Sequence, residues 1–239
     1  MAQIELRHAT IRLVDGYSNS AAVNNGAGYA VGATTMLIDT LGVSEALPLL
    51  SSFNLAGHGV TYIITARSGG PPTTSITFTP GLEAAVLDDD VITIGGRTLE
   101  VKIGTGNVTY NEQRQMTYTL NRGVLDTVKE GDDVPMDVVL DFIWEFLTAV
   151  SGSGTPTIED VFKKRGEASA WISSSSDLCE PFAVDIQIQH VPPCGGEEVE
   201  TLLFPDFRYE SLNHNLRDAT VAVTGKCNAK QAIVSRAAV

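Results

Sequence analysis

Three carboxylates, Asp137, Asp141 and Glu145, recur at four-residue intervals in "VPMDVVLDFIWEFL", residues 134–147. In a strand, side chains an even number of residues apart share a face. The complementary row, Val134, Met136, Val138, Leu140, Phe142, Trp144 and Phe146, is apolar throughout. The segment therefore predicts a long strand with one dry face and one acidic face. "FAVDIQIQHV" alternates in the same way, with Asp185, Gln187 and Gln189 on its polar side and His190 on its apolar side. Carboxylate pairs do general acid–base chemistry when they flank a cleft and burial keeps one protonated. Same-strand neighbours such as Asp137 and Asp141 do not flank a cleft. His8, His58, His190 and His214 stand far apart in the chain, and no nucleophile-elbow, zincin, Walker or dinucleotide-binding pattern occurs. "IGTG" at residues 103–106 lacks the Lys–Ser/Thr of a phosphate loop and precedes a strand rather than a helix. The expectation is a chain without catalytic activity or cofactor, because a function has to be argued from a site.

Metal chemistry is no better supported. Cys179, Cys194 and Cys227 are odd in number and lack the short spacing of zinc ligands. They are expected to be free, partly buried thiols. The run Asp88–Asp90 is read as a solvated turn before a strand, not as a cation site. His190, on an apolar row, is read as a core or interface histidine.

The elements that position these residues are almost all strands. Residues 4–14 alternate as a strand, and 15–28 read as a connector of turn residues and small side chains. Residues 29–95 contain six acids and a single base, Arg67. Five short β-type runs, "TTMLIDT", "SFNLAG", "VTYIITA", "TSITFTP" and "DVITI", are separated there by Gly, Pro and Ser. They predict a small β-barrel or sandwich. Longer strands resume from residue 97. "TPTIEDVFKKRG" predicts one short helix, capped by Thr155 or Thr157, acidic at its start, basic at its end and stopped by Gly166. "EASAWISS" reads as a strand, and the last segment, 219–236, as a closing hairpin.

The totals set limits. With 239 residues, 43% hydrophobic and 19% charged, the chain has the composition of a folded domain rather than a disordered one. A net charge of −13 disfavours a phosphate-binding surface. The charged N-terminus predicts no signal peptide, and no apolar run approaches the roughly 20 residues of a membrane span.

"LEVKIGTGNVTYNEQRQMTYTLNRGVLDTVKEGDDVPMDVVLDFIWEFL" resembles the central part of the major tail, or tail tube, proteins of tailed bacteriophages. "FPDFRYESLNHNLRDATVAVTGKCNAKQAIVSR" resembles their closing strands. With residues 4–16 these stretches make up about two-fifths of the chain. It implies a β-sandwich or partial barrel with one flanking helix, formed by residues 1–28 and 96–239, and it makes 29–95 an inserted small β-barrel domain. It implies copies that close into rings, commonly six, and rings that stack into a tube through which genomic DNA is ejected without tight binding. The implied partners are further copies, the tape measure, the tube terminator and the tail tip. The implied location is the virion tail, assembled in the host cytoplasm, with no membrane contact. On this likeness Asp137, Asp141, Glu145, Asp185, Gln187 and Gln189 are candidates for the lumen wall, the alternatives being a neighbouring subunit or outer solvent. Asn111, Glu112, Arg114, Arg122, Lys129, Glu130, Asp132 and Asp133 are candidates for a loop reaching the next ring, although alone they read as a surface loop. Other classes left open are a monomeric carbohydrate- or cation-binding β module and a capsid decoration or head–tail connector protein.

Overall fold

One strand holds the chain's two halves together. In the computed structural model, which describes residues 9–39, 48–70, 73–102, 107–144, 155–190 and 199–237, strand β7 spans Val91–Val101. Its first part pairs with β2 (Asn19–Val23) and β4 (Ser51–Leu55), and its last part, from Thr98, pairs with β1 (Ala9–Val14). The protein is mainly β with one α-helix.

On one side of this shared strand lies a closed barrel of six strands. Its order is β2, β3 (Thr35–Asp39), β6 (Thr73–Thr79), β5 (Tyr62–Gly70), β4 and β7, and β7 pairs back to β2. Side chains alternate in and out, and the interior is filled by Phe53, Tyr62, Phe78 and aliphatics such as Ile38, Ile64 and Ile76. Ring centroids of the three aromatics lie 5.0–5.6 Å apart in stacked and edge-on contacts. All five runs expected between residues 29 and 95 are strands. The sixth, β2, lies upstream of that boundary, so the barrel takes in residues that the sequence assigned to the connector. "NSAAV" hides its strand character because Ala, Ser and Asn have little β preference. Ala21 is nevertheless fully buried in the barrel core.

On the other side the sheet runs on through β7, β1, β12 (Val184–His190), β13 (Val199–Asn215), β14 (Thr220–Cys227), β11 (Met136–Ile143) and β8 (Val108–Asn111). β11 and β12 bury every second residue, as their alternation predicts. The buried face gathers Ile11, Leu13, Leu140, Phe142, Ile186 and Phe207 into one core. The sheet curls over that core, since Tyr110 on β8 stacks edge-on against Phe204 on β13, two strands beyond its own neighbour β11. Helix α1 (Ile158–Lys163) packs Val161 and Phe162 into it. Thr157 caps the helix, accepting from the Asp160 N–H while Asp160 accepts from the Thr157 N–H.

Two segments differ from expectation. "EASAWISS" is not a strand but a 3₁₀ turn at Gly166–Ala168 followed by irregular chain. Ala, Ser and Glu do little to hold a strand, and Trp171 is anchored in the core instead. The last segment is not a hairpin on itself. β14 and β15 (Ile233–Ala237) both pair antiparallel with β13, one after the other along the edge opposite β12. They behave as one long strand interrupted at 228–232.

Where barrel and sheet meet, Asp15 is 3% exposed. It accepts N–H groups from Arg97 at 2.7 Å, Ile172 at 3.1 Å and Tyr17 at 3.2 Å, and pairs with the Arg97 guanidinium at 3.5 Å. Asp15→Ala would strand a buried cation and three donors. The expected loss is about 3–5 kcal/mol of unfolding free energy, read from urea titration. A loss under about 1 kcal/mol, the level of a solvent-exposed ion pair, would show that the junction does not depend on this group.

Candidate functional site

Beyond β8 the chain leaves the main sheet and forms a two-stranded ribbon of its own, β9 (Met116–Asn121) and β10 (Val124–Glu130). Every residue of both strands is exposed. The turn has two residues, Arg122 at φ 51° and Gly123 at φ 84°. Positive φ at both is the geometry that matches strand twist in a tight hairpin, and glycine supplies it without strain. Met116 faces Glu130, Tyr118 faces Val128, and Leu120 faces Leu125, with a bulge before Thr127 that keeps Leu125 and Val128 in phase. One face of the ribbon is therefore apolar, and Tyr118, Leu120, Leu125 and Val128 are 55–67% exposed on it. The other face carries Thr117, Thr119, Asn121, Thr127 and Lys129. A lone hairpin is at best marginally stable in water, and a contiguous apolar face of this kind marks a contact surface.

The charged residues expected in an inter-ring loop occupy this ribbon and its root. Asn111 pairs with Asp137 on β11. Glu112 accepts from the Ala232 N–H at 2.9 Å. Glu112, Arg114 and Glu130 line a cleft of about 610 Å³ with Lys230 and Gln231. Asp133 pairs with Lys230, Asp132 is exposed, Lys129 lies on the polar face and Arg122 is the tip. The sequence puts Met116, Tyr118 and Leu120 on one strand face, but the opposing half of the apolar face, Leu125 and Val128, was missed. That two-residue period and the "NRG" turn together spell an ordered hairpin rather than a loop.

Asp137, Asp141, Asp185, Gln187 and Gln189 are brought to one face of the main sheet, half-buried and opposite the core; Glu145 lies outside the described residues. This face is not purely acidic. Lys226 sits 3.8 Å from Asp137, Arg12 donates to Gln189 at 3.2 Å, and Arg208 pairs with Lys226 across the ladder. The alternation of β11 and β12 identified the acids, but their neighbours come from strands distant in sequence.

Asp185 has an unusual neighbour. A bulge in β13 turns Phe204 and Phe207 both inward and places Asp206, at φ 51°, outward between them. The Asp206 N–H donates to Asp185 at 2.9 Å, and Ser174 donates to the Asp206 carboxylate at 2.8 Å. Burial raises the Asp185 pKa above its ordinary value, and the Asp206 charge raises it further against the hydrogen bonds that lower it. Burial and the same two acids push the Cys227 thiol up to about 12, so it stays protonated. Cys179 is exposed, Cys194 lies outside the described residues, and His190 is a buried core histidine.

Among the described residues no three His, Cys, Asp or Glu side chains group as metal ligands, and no helix is long and apolar enough to cross a membrane. No protein-family model matches the sequence, and no curated protein or solved structure shows a significant likeness to it.

The raised pKa fixes a sign. The folded chain holds the Asp185 proton more tightly than the unfolded chain, whose reference is 3.8. The stability it contributes is full below that value and is lost as pH rises through the folded pKa. Asp185→Asn, neutral throughout and still able to accept from Asp206, should match or exceed the wild-type urea midpoint at about pH 7. It should lose that advantage as the pH is lowered to about 4. A variant less stable at neutral pH than in acid, relative to wild type, would contradict the assignment.

Proposed function

We propose that this chain is a structural, self-assembling subunit whose copies close into rings that stack into a tube, as in the tail tubes that its sequence resembles. The observation that carries the reading is the β9–β10 ribbon. It is regular and amphipathic, and among the described residues nothing covers its apolar face. A further copy is the partner always available at matched concentration, and a ribbon that reaches a different patch on the next copy gives a contact that propagates. Six copies per ring, a location in the virion tail, contact with tape-measure, terminator and tip proteins, and a role as a conduit for DNA belong to the same proposal. It assigns the chain no catalysis. Asp137 and Asp141 remain candidates for the wall of the conduit, where carboxylates would keep a polyanion from sticking.

The test is assembly of the full chain, followed by sedimentation velocity and negative-stain electron microscopy over a range of concentrations and salt. Rings and stacked tubes are the expected result. Leu120→Asp combined with Leu125→Asp should stay monomeric with an unchanged urea midpoint, because both side chains are exposed in the isolated subunit. Wild type that stays monomeric throughout, or a double variant that assembles normally, would overturn the proposal.

A further inference from the structure

We infer that the ribbon tip of one copy docks on the outer sheet face of a second copy, setting Arg122 against the Asp185–Asp206 carboxylates and the apolar ribbon face against Leu203 and Ile233. The inference rests on the assembly reading above and names the surface that would receive the ribbon.

The donor is fixed by the turn. With Arg122 and Gly123 both at positive φ, the hairpin ends abruptly, and Arg122 stands at the end of an exposed apolar strip. No ion-pair partner for it occurs among the described residues. In a chain of net charge −13, an uncommitted guanidinium at the tip of a protruding arm is suited to meeting acid on another copy.

The acceptor is selected by charge accounting. Asp15, Asp137, Glu159, Glu180 and Glu200 each have an Arg or Lys within ion-pair range. Asp88, Asp89 and Asp90 are exposed to water and need none. Asp39 and Asp141 are half-buried without an ion-pair partner among the described residues, but each stands singly, and Asp39 accepts from Asn24 and Thr73. Asp185 and Asp206 are the half-buried acids that lie beside each other with no cation among the described residues. A planar guanidinium can hydrogen-bond two carboxylates at once. The surroundings fit the rest of the ribbon. In the ladder, Gln187 opposes Leu203 and Leu203 opposes Ile233, so both apolar side chains lie on the same outward row as Asp185, and Ile233 is 53% exposed. Donor and acceptor thus share a composition, an apolar strip ending in charge, with opposite signs. They are different patches of one chain, so the contact is head-to-tail and extends rather than closing a pair.

The experiment measures the critical concentration for assembly of the full chain. Arg122→Glu should raise it roughly tenfold or more, because a charge repels where one attracted. Asp206→Asn, which keeps a side chain tolerant of positive φ, should raise it several-fold. Circular dichroism and urea midpoints confirm that each variant is folded. Independently, Arg122→Lys tubes treated with a carbodiimide should give a zero-length amide between copies, joining position 122 to Asp206 or Asp185 by mass spectrometry. If wild type forms tubes but Arg122→Glu assembles equally well, or the amide joins position 122 only to other carboxylates, this contact is wrong and the assembly reading survives. If wild type never assembles, the assembly reading fails first and the contact fails with it.

Discussion

The architecture depends on a single strand belonging to two hydrogen-bonded systems. β7 closes the barrel with its first half and starts the main sheet with its second. The change of partner requires β1 to leave β7 just where the barrel begins. Gly96 makes room for this, since a Cβ there would lie 2.1 Å from the Asp15 carbonyl oxygen. Asp15 then ties the departing chain to Arg97 and to residue 172 beyond the helix, and Tyr17 lies against the Arg97 guanidinium at 5.7 Å. A buried ion pair of this type contributes little net stability compared with an apolar replacement, but removing one partner is severe. Its physical effect is on geometry. The barrel is joined to the sheet by a shared strand and a buried polar knot rather than by a linker.

That rigidity contrasts with two features that the isolated chain leaves unresolved. The ribbon exposes a row of apolar side chains of the kind that β11 and β12 turn inward. The Asp185–Asp206 pair places two carboxylates together in a half-dry setting. Each departs from the rule that local preference, packing and polar satisfaction should agree, and such departures are expected where a protein meets something else. Among the described residues no ribbon side chain belongs to either hydrophobic core, and Asp185 and Asp206 lie on the face opposite the core. An account of the isolated chain leaves both without a purpose, and a contact between copies gives both the same one.

Much of the fold was legible because burial leaves a period in the sequence. β11 and β12 were marked by strict alternation, the barrel strands by short β-branched runs between turn residues, and α1 by its cap and charge order. What stayed hidden was set by tertiary partners. β2 is a strand because β7 and β3 accept it, not because "NSAAV" prefers to be one. Trp171 pulls its segment into the core out of strand geometry. β14 and β15 follow β13 instead of folding on each other, a choice made by the edge that β13 offers. The candidate site was half legible. Its charged residues stand out in sequence, but the apolar ribbon face depends on the bulge before Thr127, which re-phases Leu125 and Val128 and is invisible to a fixed period. Asp206 joins Asp185 only through a second bulge.

Charge decides which surfaces of such a chain can meet. Copies carrying −13 each repel one another, and apolar burial has to overcome that repulsion before any ring or stack can persist. The ribbon is where the balance is most favourable. Its apolar face brings no charge except Glu130 at the root, and its tip is cationic. The Leu203–Ile233 row adds apolar surface, but next to an acid pair that would repel every part of another copy except a basic one. Added salt then acts in two directions. Screening weakens the general repulsion between copies, and it weakens the attraction at a charged tip less once that contact is desolvated. A single arginine at the end of an apolar arm therefore does more to select the partner surface than to supply binding energy. On an acidic subunit it makes one docking site preferable to the rest.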